Sequence, residues 1–150
     1  FDCVLCQLLI SIVGKLEDRR QMLRVVHRHL DDDNNGILLL SASGASETIN
    51  ENYAKLYARD KKLTKEDRTY FSRRRDDGEI LYMTHHFTKQ SLSDLLKECG
   101  FSVVSFSVEE EASSRRPEEK AFFFYIVATK SNETAHRSRC TAQAGALVTH

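Results

Sequence analysis

The adjacent pair His85-His86, in "LYMTHHFTKQ", offers the side chains best suited to proton transfer near neutral pH, where imidazole titrates. Adjacent histidines ahead of a helix are also ordinary polar loop residues, and both readings stay open. Cys3 and Cys6 have the spacing of half a zinc site. On a strand, residues three apart face opposite ways, and no second ligand pair follows, so two buried structural thiols and no metal are expected. "DDDNNG", Asp31 to Gly36, supplies the first half of a calcium loop, oxygens at alternate positions and then glycine. The position that must carry a bidentate carboxylate falls on Ala42, so a turn with Gly36 at positive φ is expected instead. From Arg59 to Arg75 there are eight basic and three acidic residues. With Tyr57, Tyr70 and Phe71 nearby, that stretch has the means to grip phosphates, RNA included. A solvated lid is the plainer account, because the net excess is small.

These groups sit in an ordinary globular composition, 41% hydrophobic and 29% charged over 150 residues, the size of one domain. Lys plus Arg equal Asp plus Glu at 22 each, so no global field draws the chain to nucleic acid or membrane. No apolar run has the length of a membrane span. The four cysteines are too scattered for a disulfide framework, and a reduced, cytoplasmic protein is expected. The chain opens on Phe1 inside an apolar run, which suggests a piece of something longer.

"FDCVLCQLLISIV" (1–13) reads as a strand buried on both faces. In "KLEDRRQMLRVVHRHL", Leu16, Leu23, Val26 and Leu30 make the apolar stripe of a helix, with Arg19, Arg20, Arg24 and Arg28 toward solvent. "ILLLS" (37–41) is a second buried strand. Residues 45–84 form a polar insertion: a helix over "ETINENYAKLYARDKK", a turn at "DDGE" and a short strand "ILYMT". "TKQSLSDLLKECG" is a helix capped by Thr88, burying Leu92, Leu95, Leu96 and Cys99, with Gly100 past its end. "FSVVSFSVEE" and "AFFFYIVATK" are strands of an antiparallel pair, joined by a long exposed loop over "EASSRRPEEK". The tail, 131–150, is expected to be disordered. The fold class is α/β: a right-handed βαβ crossover with a hairpin added to its sheet.

Taken in series, "FDCVLCQLLISIV", "RRQMLRVVHRHLDDDNNGILLL", "FTKQSLSDLLKECGFSVVSFSVEE" and "AFFFYIVATK" resemble the C-terminal half of a class I S-adenosylmethionine-dependent methyltransferase, over 1–130 apart from the insertion. The glycine-rich turn that holds the cofactor in that family has no counterpart here, since no two of the six glycines lie close together. The resemblance implies a Rossmann-like sheet and S-adenosylmethionine as cofactor. It also implies methyl transfer to an O, N or S acceptor, with the 150-residue chain alone expected to be inactive. Ligands in such sheets bind at the carboxyl ends of parallel strands. That places Cys6, Gln7 and Leu8 against the cofactor. Ser11, Ser41, Ser43 and Tyr82 fall against the acceptor, with His85 and His86 as candidate catalytic groups. Gln7 reads equally as a residue that satisfies backbone at a strand end. A module without catalysis, dimerising through its first strand or binding a protein or RNA, is the alternative.

Overall fold

The computed structural model describes residues 1–31, 36–113 and 116–131. The expected tail after Ser131 and most of the acidic turn, 32–35, lie outside the described residues. Strand β1 is Cys3–Gln7, followed by a short helix α1, Leu9–Ile12, and by α2, Leu16–His29. β2 spans Ile37–Ser43, and its pairing with β1 is parallel, Leu5 opposite Leu39. The insertion holds α3, Glu51–Thr64, and an antiparallel hairpin of β3, Thr69–Arg73, and β4, Ile80–His85. Helix α4, Lys89–Glu98, precedes the long strands β5, Phe101–Ser113, and β6, Arg116–Lys130. The main sheet has the order β1-β2-β6-β5, with β6 antiparallel to both neighbours.

One sheet face carries the core. Leu23 and Leu30 of α2 and Leu92, Leu95, Leu96 and Cys99 around α4 cluster with strand residues such as Leu38, Leu40 and Ile126. Helix α4 forms as its sequence requires. The Thr88 hydroxyl accepts from Ser91 N at 3.0 Å, the Ser91 hydroxyl answers to Thr88 N, and three leucines at helical spacing face inward.

Several expectations need correction. The stretch 1–13 is not one strand: Leu8 adopts φ 53 and turns the chain into α1. Nor is β1 covered on both faces, because it is the sheet's edge and Leu5 is 69% exposed. Arg19 does not face solvent; it is wholly buried, while Leu16 is exposed. At Gly36 a Cβ would lie 2.8 Å from Asp31 N, so close approach requires the glycine there. The supposed loop between the last two strands is largely strand, with Ala112 paired to Lys120 and Ser113 to Arg116. The insertion also contains a strand, β3, where a charged lid was expected.

The ends of the insertion are zipped onto the tip of β2. Gly44 forms a parallel bridge with Phe87. Ala45 N donates to Phe87 O at 2.7 Å, and Phe87 N donates to Ser43 O at 2.9 Å. Gly44 permits this closure, since a Cβ there would meet Phe124 Cε1 at 2.8 Å and Phe122 Cβ at 2.9 Å. Gly44→Ala is therefore expected to destabilise the fold by about 1–3 kcal/mol, as overpacking of a closed site does. A thermal melt checks it; an unchanged midpoint would mean that the two phenylalanines yield freely.

Candidate functional site

A cavity of about 560 Å³ opens between the carboxyl ends of β1 and β2 and the insertion. Of the residues expected at a site, Gln7, Leu8, Ser11, Ser43, Tyr82 and His86 line it; Cys6, Ser41 and His85 do not. The separation is geometric. Cys6 points into the core, where burial pushes its thiol up, away from reactivity, whereas Cys3, expected to be buried as well, is exposed on the edge strand. Ser41 holds the turn after β1: its hydroxyl accepts from Leu8 N at 2.9 Å, and its carbonyl accepts from the same N–H at 3.1 Å. The Ser11 hydroxyl accepts from Ser43 N at 2.8 Å, so two of the expected acceptor contacts are first of all contacts to each other. The Gln7 side chain is exposed at the strand end and makes no hydrogen bond among the described residues.

The two histidines part company because His85 ends β4 and His86 follows it in extended chain, where successive side chains point opposite ways. His86 is buried among Tyr53, Tyr57 and Tyr70, with ring centroids 4.7, 5.7 and 5.4 Å away. The Tyr57 oxygen lies 2.7 Å from His86 Nδ1. Burial and the charge of Glu47 hold the Tyr57 phenol far above its ordinary value, so it stays protonated and is never a phenolate. The two neutral groups share one proton between Tyr57 Oη and Nδ1, and Nε2 faces Tyr70 Oη at 3.5 Å. Burial pulls the His86 imidazole down to about 3, so it is neutral at working pH.

His85 lies on the other side, against a second, more open groove. Its Nδ1 is 2.7 Å from the Thr69 hydroxyl, and its ring stands edge-on to Phe87 at 4.4 Å. Burial, then the charges of Arg19, His86 and Arg68, bring it to about 3 as well. Beside it runs a strut that a sequence cannot display. The Arg19 guanidinium pairs with Glu66 at the base of the insertion, donates to Gly14 O at 3.1 Å, and lies over the Phe87 ring.

The cavity wall also includes residues that sequence reasoning did not place there, Tyr53 and Arg59 from α3 and Tyr70, Arg73, Arg74 and Arg75 from β3 and the turn after it. Asp60 organises part of that wall. It is buried and takes hydrogen bonds from Arg59 at 2.7 Å, Arg73 at 2.9 Å and Phe71 N at 2.9 Å. Burial pushes its carboxyl up, but the bonds from the two arginines and the Phe71 amide hold it below the usual carboxylate range. The shared side of α3 that carries Tyr53 and Leu56 was visible in the sequence; the arginines were concealed in a charge run.

No protein-family model matches the chain, and no curated protein matches it in sequence. Solved structures do. The chain is similar to an S-adenosylmethionine-dependent methyltransferase from Methanosarcina mazei, with a TM-score of 0.79 and 29% identity over 87% of this chain and 59% of that one. A methyltransferase of the same cofactor class from Clostridium acetobutylicum shares the fold, with a TM-score of 0.53 and 13% identity over 87% of this chain and 58% of that one. The chain thus spans less than two-thirds of the length of either structure. Among the described residues no helix is long and apolar enough to cross a membrane. With β1 parallel to β2 and an antiparallel pair completing the sheet, this chain carries the C-terminal part of the class I S-adenosylmethionine-dependent methyltransferase fold.

Proposed function

We propose that this chain is the acceptor-binding part of an S-adenosylmethionine-dependent methyltransferase. The observation that carries the reading is the cavity at the carboxyl ends of β1 and β2, where sheets of this kind bind ligands, roofed by the insertion. Its residues fit one edge of the cofactor: Gln7 offers an unengaged amide, and Leu8 is pinned by two hydrogen bonds to Ser41. A glycine-rich turn and an acidic strand end for the adenosine have no counterpart here. When bound, S-adenosylmethionine supplies a methyl group on a sulfonium; an acceptor lone pair takes it, and the C–S electrons return to sulfur. The residues of this chain orient the acceptor and exclude water. His86 serves as a neutral hydrogen-bonding wall group, since its Nδ1 is already engaged by Tyr57. Any proton the acceptor sheds goes to solvent, and alignment with desolvation carries the rate.

The second reading is a module without catalysis that dimerises, and a specific feature favours it: β1 is an open edge, and Leu5, Ile37 and Leu39 stand exposed on one face. Calorimetric titration with S-adenosylhomocysteine, run beside light scattering, separates the two. Binding by this chain or a longer form of the protein, weakened about tenfold by loss of the amide in Gln7→Ala, is the expected result. A dimer that takes up no S-adenosylhomocysteine in either form would replace the first reading with the second.

A further inference from the structure

We infer that the cavity takes a flat aromatic anion, a fused or single ring bearing a carboxylate or phosphate, as the methyl acceptor. The word acceptor rests on the methyltransferase reading; the ligand's chemistry comes from the cavity alone. Among its described lining residues are four arginines, Arg59, Arg73, Arg74 and Arg75, and neither an aspartate nor a glutamate. The balancing carboxylates stand outside the lining. Asp60 is buried and engages Arg59 and Arg73 together, two positive charges against one negative. Asp77 and Glu79, in the hairpin turn, pair with Arg74. With Asp60 buried against Arg59 and Arg73, and no carboxylate in the described lining, the lining itself carries positive charge toward whatever enters.

The wall is also built rigidly. Asp60 binds Arg73 through both oxygens, at 2.9 and 3.0 Å, and Arg59 likewise, at 3.1 and 2.7 Å. Two guanidinium groups are thereby fixed before a ligand arrives, which lowers the entropy lost on binding a carboxylate or phosphate. Beside the arginines and a polar set that includes Gln7, Ser72 and Thr84, the lining holds five rings, Tyr53, Tyr70, Phe71, Tyr82 and Phe123, surfaces suited to stacking with another ring. A volume of about 560 Å³ suits a small molecule of one to three rings. A nucleic-acid strand fits less well. Elsewhere in the same basic stretch, Lys61 is paired with Asp67 at 2.8 Å and Arg68 with Glu47 at 2.9 Å, leaving little continuous positive surface.

The test uses three probes of one shape with the chain as it stands: 2-naphthoate, 2-naphthyl phosphate and 2-naphthamide, with affinities from saturation-transfer NMR competition. The two anions are expected to bind about tenfold more tightly than the amide. In R74Q/R75Q, whose substitutions fall in the exposed turn, that preference is expected to fall to about a third, Arg59 and Arg73 keeping the rest, with circular dichroism checking the fold. Equal binding of the amide, no binding of any probe, or an anion preference that the double substitution leaves undiminished overturns the assignment. Displacement of 2-naphthoate by short oligouridylate with steep salt dependence also overturns it, in favour of nucleic acid. None of these measurements needs the cofactor, so they fail independently of the S-adenosylhomocysteine titration.

Discussion

Arg19→Ala is expected to cost about 3 kcal/mol of folding stability, toward the low end for breaking a buried ion pair because Glu66 keeps a quarter of its exposure. Three partners lose their donor at once: the Glu66 carboxylate and the carbonyls of Val13 and Gly14. The Phe87 ring also loses the guanidinium that covers it. These partners come from different parts of the molecule. Val13 and Gly14 follow α1, whose Ile12 lines the cavity, and Glu66 lies between α3 and β3 in the insertion. The arginine therefore fastens the insertion to the βα unit as well as filling the core. Urea denaturation of Arg19→Ala, Glu66→Gln and the double variant measures the coupling. The double variant should be less destabilised than the sum of the singles, because an apolar hole without a stranded charge costs less than one with it. Additive losses, or a loss below about 1 kcal/mol for Arg19→Ala, would reduce the pair to a surface contact.

Much of the frame was legible because it is set by short-range rules. Thr88, the leucines at 92, 95 and 96, and Gly100 specify α4 within one stretch, and the apolar "ILLL" after an acidic turn specifies β2. The site was legible where topology supplies it: Gln7, Leu8, Ser11 and Ser43 meet at the cavity because strand ends must. What escaped depends on distant partners. A helical arginine defaults to solvent, and nothing near Arg19 announces that Glu66 will arrive 47 residues later. "TYFSR" pairs as β3 only because β4 lies opposite it, and its flanking charges disguise an alternating strand as a basic lid. Pro117 suggested a loop, yet it falls in the irregular stretch between the pairs Ala112–Lys120 and Ser113–Arg116, where a proline removes no regular ladder bond. Leu8 gave no warning of its left-handed turn, since a glycine is the usual signal and none is there.

Acid is expected to unfold this protein early, by about 2 kcal/mol per histidine between pH 7 and pH 5 for His85 and His86. Both imidazoles have folded values of about 3 against an ordinary 6.5, burial being the first cause for each. Between those values the unfolded chain binds protons that the folded chain refuses. Stability is therefore whole above pH 6.5 and is lost progressively as the pH falls toward 3. For His85 the charges of Arg19 and Arg68 add to the refusal, whereas the tyrosine cage of His86 supplies no countercharge. Asp60 acts in the same direction but at lower pH, because its carboxyl, already below the ordinary range, titrates only after the histidines have. The interval from pH 7 to 5 thus isolates the imidazoles. In His86→Asn the side-chain amide stands where Nδ1 meets Tyr57, and in His85→Asn it stands where Nδ1 meets Thr69, able to donate or accept at either place. Each variant should start less stable at pH 7 and lose about half as much stability on going to pH 5 as the parent. If the double variant keeps the parent's full pH dependence in urea titrations, the histidines are not the groups held uncharged, and the tyrosine cage is more open to water than its geometry implies.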